Sequence, residues 1–441
     1  MQDFRNTHAL TQKDIFRFWL PLSATWLMMS LEGPYLAALI ARLPEPKFNL
    51  AAYGVAFSLA MIVEAPVIMM MSASTALVND YKSFIELRKF NYRLSLALTI
   101  AMIIFSVSPI FYFVTEYLIG LPHAVAYLTH LSIMLLIPWP GAIGYRRFYQ
   151  GILIRNNQTR FVAFGTIIRL ISMSTVALIL YLFTTIPGAA VGASALSSAV
   201  IMEAVASRIM ANKLLKKIES VGNKNEDGVA ISQKTIFKFY YPLALTSILT
   251  LGVQPFVTFF VGQSRMPLES LAVLPVVTSF VFIFRGLGLS YQEVVIALIG
   301  DKFENSKEIK SFAIKLASFT AGTLMIIAFT PLRDYWLESV SGLNPSLAEF
   351  AHLPLMIMSF FPAMTVLISF ERAVLVKADH TKTITIGTAI EFFSIIIVLG
   401  LCIKFFDFVG AIAATISFVL GRIAACTYLF PPVVKALNVK T

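Results

Sequence analysis

The sequence predicts an all-α polytopic membrane protein: twelve transmembrane helices in two six-helix lobes, related by a parallel pseudo-two-fold repeat. Three observations predict it. Of 441 residues, 58% are hydrophobic and 13% charged, more apolar surface than a soluble domain hides. Twelve apolar runs of twenty or more residues recur, each long enough to cross about 30 Å of hydrocarbon. The chain also repeats itself. Gln12–Leu22 reads QKDIFRFWLPL and Gln233–Leu243 reads QKTIFKFYYPL, seven of eleven positions being identical at an offset of 221.

The runs follow in order. Helix 1 (15–42) comes after polar residues 1–13 and is too long for the apolar core of a cleavable signal peptide. Helix 2 (48–77) carries Pro66, helix 3 (91–117) follows a basic stretch, and helix 4 (124–154) carries Pro138 and Pro140. Helix 5 (160–184) begins after Asn157-Gln158-Thr159, a formal glycosylation sequon expected to be idle in a cytoplasmic loop. Helix 6 (187–212) leads into the one long polar connection. Helices 7 (234–262), 8 (267–300), 9 (309–331), 10 (347–376), 11 (383–404) and 12 (408–434) repeat the series. Pro34 aligns with Pro255, so matching kinks are expected in helices 1 and 7, because proline frees a carbonyl one turn back. From helix 5 onward the offset is 222: Thr159, Gly165, Thr166, Ile168 and Ser172 match Thr381, Gly387, Thr388, Ile390 and Ser394.

The expected domains are an N-terminal lobe (1–212), a cytoplasmic linker (213–232) and a C-terminal lobe (233–441). The net charge of +11 is a topology signal and not a nucleic-acid footprint. Twenty-four Lys and Arg fall in one alternating set of loops, including Arg5, Lys82, Arg93, Lys216 and Lys310. Five fall in the other: Arg42, Lys47, Arg265, Arg333 and Lys404. The positive-inside rule then places both termini in the cytoplasm. The expected location is the plasma (inner) membrane. Cys402 and Cys426 lie in apolar runs and imply no disulfide framework.

Charges inside the hydrocarbon are expensive and face an interior or a watery cavity. Six carboxylates (Glu32, Glu64, Glu203, Glu293, Glu371, Glu391) meet six guanidinium groups (Arg146, Arg147, Arg169, Arg285, Arg372, Arg422). The repeat sorts some of them. Glu64 aligns with Arg285 at offset 221, and Arg169 with Glu391 at offset 222. If the halves face each other, these positions ring a central space with alternating sign. Arg285 or Arg169 would then bind an anion through a bidentate fork, and Glu64 or Glu391 would titrate or hold a cation. Ion pairing that merely holds helices together is the alternative. Arg146 and Arg147 point about 100° apart on a helix, so one of the two is expected to line a vestibule. His130 and His352 are repeat equivalents near the outer helix ends. No P-loop, HExxH, nucleophile elbow or paired Cys/His pattern is present, so no enzyme activity is expected.

Arg147-Phe148-Tyr149-Gln150-Gly151-Ile152-Leu153, with the repeat and the prolines, resembles the MATE-like (MOP) transporter superfamily. The closer resemblance is to the progressive ankylosis (ANK) family, in a prokaryotic form. It is carried by Ala52-Tyr53-Gly54-Val55-Ala56-Phe57-Ser58-Leu59, by Phe239-Tyr240-Tyr241-Pro242-Leu243-Ala244-Leu245 with Pro255, and by Ser359-Phe360-Phe361-Pro362. Glu293 resembles an acidic residue late in that family's eighth helix. The chain departs from the animal pattern in carrying Gln254 where Arg stands, in the position of Glu32, and in lacking an acidic tail.

The resemblance implies export of multivalent anions of the citrate, ATP or pyrophosphate class by alternating access. The residues expected on substrate are Arg285, Arg147 and Arg169, with Gln254 and Tyr53 adding hydrogen bonds. Glu64 and Glu32, with Glu391 and Glu293, are expected to couple or balance charge. No cofactor is expected beyond a coupling Na⁺ or H⁺. The partners expected are a small anionic substrate and the bilayer, with the protein a monomer and no nucleic acid bound. Cationic drug efflux, lipid-linked precursor flipping and a non-transporting scaffold or receptor are the competing readings.

Overall fold

The computed structural model describes residues 10–156, 158–222, 231–300, 302–378 and 380–440. Arg5 in the N-terminal polar stretch and Asn157 of the sequon lie outside them.

Among the described residues, ten helices are long and apolar enough to cross a membrane, and a bent pair, Tyr81–Phe105 with Ser108–Leu118, adds an eleventh. Helix 1, the remaining helix expected from the sequence, is in two pieces, Gln12–Ser30 and Glu32–Ala41. The protein is thus a multi-pass integral membrane protein. Its other spans are helix 2 (Pro46–Leu77), helix 4 (His123–Arg155), helix 5 (Thr159–Phe183) and helix 6 (Gly188–Gly222). The second half supplies helix 7 (Gln233–Gly262), helix 8 (Pro267–Leu298), helix 9 (Ser306–Phe329), helix 10 (Pro345–Lys377), helix 11 (Thr381–Lys404) and helix 12 (Gly410–Lys440).

Two features differ from the sequence expectation. Helix 6 continues through Gly222, so residues 213–222 of the expected linker are helical; residues 223–230 lie outside the described set. Helices 1 and 7, where matching kinks are expected, also differ in continuity. Helix 1 breaks at Leu31, whereas helix 7 runs unbroken through Pro242 and Pro255. The break precedes Glu32, whose carboxylate is bound by Arg169 on helix 5. The repeat equivalent of Glu32 is Val253, which offers helix 11 no such bond.

The duplication reaches the backbone. Thr11 and Ser232, 221 residues apart, cap helices 1 and 7 by accepting from Asp14 N and Thr235 N, each satisfying an orphan donor. Glu45 (φ 52°) and Met266 (φ 54°) are left-handed before Pro46 and Pro267. Helix 3 ends in a π-helical turn, Phe113–Leu118, and helix 9 is followed by one, Tyr335–Val340. Each turn is followed by a glycine at positive φ, Gly120 (82°) and Gly342 (74°), where a side chain would be strained.

The first helix of each half packs on the other half. Trp19 Nε1 donates to Leu287 O (3.2 Å) and Ser290 Oγ (2.8 Å) on helix 8. Tyr240 Oη, its equivalent, donates to Pro66 O (2.6 Å) on helix 2. Gln12 Nε2 donates to Glu308 O (2.8 Å), and Gln233 Nε2 to Glu86 O (2.9 Å). These exchanged helices and the crossing of helices 2 and 8 join the two halves into one bundle.

Candidate functional site

The intramembrane charges gather into two clusters, one per half. In the N-terminal half, Glu203 on helix 6 is the hub. Its carboxylate accepts from Arg146 and, at 2.9 Å, from Gln150 Nε2, both on helix 4. Arg169 Nη1 on helix 5 lies 3.8 Å away. Arg169 also bonds Glu32 on helix 1. Glu32, Arg146 and Glu203 are all buried, so the network ties helices 1, 4, 5 and 6 with its charges satisfied by one another.

In the C-terminal half the hub is again a carboxylate, now at the repeat position of Arg169. Glu391 on helix 11 is the hub. Arg422 Nε on helix 12 donates to it at 2.7 Å, and Arg372 Nη2 on helix 10 lies at 3.5 Å. Arg422 also reaches Thr365 Oγ1 at 3.4 Å, and Arg372 reaches Thr388 Oγ1 at 3.3 Å. Arg169 and Glu391 are repeat equivalents, and each serves its own half. The alternating ring expected across the halves is therefore two separate networks.

The second repeat pair behaves differently. Glu64 on helix 2 accepts from Trp139 Nε1 on helix 4. Its equivalent Arg285 on helix 8 has its guanidinium carbon 4.6 Å from the ring centre of Phe361 on helix 10. Phe361 is the repeat equivalent of Trp139. The same helix pair thus makes the same contact with opposite charge: an indole N–H for a carboxylate, a π face for a cation. Arg422 shares that ring, its guanidinium carbon 4.7 Å from the centre.

Counter-charge is unevenly supplied. Among the described residues, no carboxylate lies within 4 Å of Arg285 or Arg147. Arg147 Nη1 contacts Met71 Sδ at 3.7 Å instead. In the C-terminal cluster, Arg285, Arg372 and Arg422 face one bonded carboxylate, Glu391. Glu371 is buried beside them, with no nitrogen or oxygen partner for either carboxylate oxygen among the described residues.

The other residues singled out by the sequence scatter. Tyr53 is buried on helix 2, its ring stacked on Phe57 at 6.3 Å and closely facing Gly192 of helix 6. Gln254 and Glu293 are exposed and belong to neither cluster. The two histidines differ: His130 Nε2 meets Ser106 O and His352 Nε2 meets Asp334 Oδ1, each at 2.7 Å. Phe361 and Trp139 are the partners that residue charge alone does not reveal; their shared offset from each other is the signal that pairs them.

The architecture is a MATE-like fold, and solved structures share it. The chain matches the inward-facing conformation of a multidrug resistance MATE family transporter of the MOP superfamily (TM-score 0.75, 14% identity, 94% of this chain and 95% of that one). It also matches the lipid II flippase MurJ in an inward closed conformation (TM-score 0.68, 16% identity, 95% and 89%). A third match is a MOP superfamily transporter from Pyrococcus furiosus Vc1 (DSM3638), described as having a binding pocket of reverse polarity (TM-score 0.65, 14% identity, 97% and 96%). By sequence, the chain matches no protein-family model and no curated protein.

Proposed function

We propose that this protein is a secondary transporter of the MOP type that moves small multivalent anions, of the citrate, ATP or pyrophosphate class, by alternating access. One observation carries the reading: Arg285 and Arg422 share the ring of Phe361, and Arg285 has no carboxylate partner among the described residues. Arg422 is paired with Glu391 while Arg285 beside it is not, so the pair of guanidinium groups carries an excess positive charge that an anion would offset, and several forks suit a multivalent one. The resemblance to the ANK family points to the same cargo. Arg147 is the matching uncompensated cation in the other half, while Arg169 holds Glu32 in place. Glu64, free of any cation within 4 Å among the described residues, is the coupling position for H⁺ or Na⁺.

Purified protein in liposomes, offered labelled citrate, ATP, pyrophosphate and a lipophilic cation, tests this. At least one anion should move in wild type. Arg285→Ala should lower its rate roughly 10- to 100-fold, the value of a hydrogen bond to a charged group. Movement of the lipophilic cation alone, or an unchanged rate in Arg285→Ala, would sink the proposal.

A further inference from the structure

A groove of about 580 Å³ opens between helices 3 and 7 at the end of the bundle that bears the termini. That volume is within the range of ligand clefts, ~300–1,000 Å³. Its lining includes Phe90, Leu94, Phe237, Tyr241 and Pro66, together with the cations Arg93 and Lys234. Both cations are exposed, and neither has an ion pair among the described residues. The nearby carboxylate of Glu86 is already engaged, by Lys89 Nζ at 2.7 Å and Gln233 Nε2 at 2.7 Å.

The groove thus combines an apolar lining with two cations, between membrane-spanning helices. Its floor is Tyr240, whose hydroxyl is spent on Pro66 O and whose ring packs edge-on against Phe90 at 5.3 Å. The repeat-equivalent place, between helices 9 and 1, carries Lys315 and Lys13 but has Trp19 for Tyr240. There the larger indole packs on Phe312 at 5.9 Å, and Lys315 Nζ is within 3.4 Å of Gln12 Oε1.

We propose that the groove between helices 3 and 7 is a binding site for an anionic phospholipid. The headgroup phosphate sits between Arg93 and Lys234, and an acyl chain lies along Phe237, Tyr241 and Leu94. Basic residues beside the membrane favour anionic headgroups, and apolar lining supplies the seat for the chain. Because helix 7 crosses from its own half to the other here, a lipid in this groove touches both halves and biases how they rock.

The full chain is purified in detergent, and retention of labelled phosphatidylglycerol is compared with that of phosphatidylcholine of the same chains. Wild type should prefer the anionic lipid. Arg93→Gln with Lys234→Gln should remove roughly twenty-five-fold of that preference, about fivefold per cation. Ala244→Phe, which narrows the groove without touching charge, should lower retention of both lipids alike. The control Lys13→Gln with Lys315→Gln should leave the preference intact. Equal retention in wild type overturns the site, as does a preference that survives the Arg93/Lys234 change or is lost in the control. Displacement by inorganic phosphate as readily as by lipid would also overturn it, since only the headgroup would then be held.

Discussion

At the residue scale, the duplication has been kept in geometry and reversed in charge. The offsets align Glu64 with Arg285 and Arg169 with Glu391, so those four positions are legible in the sequence. Their partners are not. Arg422 aligns with Val200, three residues before Glu203, so the two hub contacts sit one helical turn apart and no position-by-position alignment matches them. What completes each network is tertiary packing against helices 4 and 10, on which sequence spacing is silent. The N-terminal hub also has a clear structural consequence. Arg146 is 4% exposed and Glu203 2%, and Arg146 has no other carboxylate within 4 Å among the described residues. Glu203→Ala leaves that cation buried and unpaired and strips Gln150 of its acceptor. Breaking a buried pair from one side costs ~3–5 kcal/mol. Thermal unfolding in detergent should show Glu203→Ala as severely destabilised. An unfolding midpoint close to wild type would mean that water or another group already serves Arg146.

At the element scale, the helix count, the proline positions and the equivalent caps Thr11 and Ser232 follow from composition and local chemistry. The exchange of helices 1 and 7 does not, because nothing local to QKDIFRFWLPL or QKTIFKFYYPL says which half it will lie on. Nor does the break at Leu31, which stands beside a carboxylate, Glu32, whose guanidinium partner Arg169 is 137 residues away. Close approach between helices is another feature read only in three dimensions. A Cβ built on Gly54 of helix 2 would lie 2.5 Å from Pro275 Cγ of helix 8. A proline ring cannot swing aside, so the two helices must part. Gly54→Ala should therefore cost ~1–3 kcal/mol by overpacking, although Ala is the better helix former. The sign is the test: a raised unfolding midpoint would show that helices 2 and 8 separate without cost.

At the scale of the whole molecule, the far end of the bundle, opposite the termini, is sealed by contacts between the halves. Arg42 Nη2 donates to Ser339 O (2.7 Å) and Val340 O (2.9 Å), both in the π turn that ends helix 9. Gln263 Nε2 donates to Leu118 O (2.7 Å), in the equivalent turn of helix 3. Between them Lys47 Nζ meets Glu269 Oε1 at 2.5 Å, joining the first turns of helices 2 and 8. The sequence places Lys47 and Arg42 among the few basic residues of that side and offers no reason for them; bridging the halves is the reason. If the halves rock, this seam must part as the far end opens. Its ion pair is partly solvated, with 34% and 25% of the two side chains exposed, so it contributes only ~0.2–1 kcal/mol. That suits a latch meant to release. Lys47→Glu sets two carboxylates against each other and should raise hydrogen exchange in the 42–50 and 263–270 segments by up to about fivefold, ~1 kcal/mol in population. Glu269→Lys should do the same, and the double exchange should restore the wild-type rate. Restoration separates a latch from a merely tolerant surface: if the double variant exchanges as fast as either single one, the pair does not hold the seam.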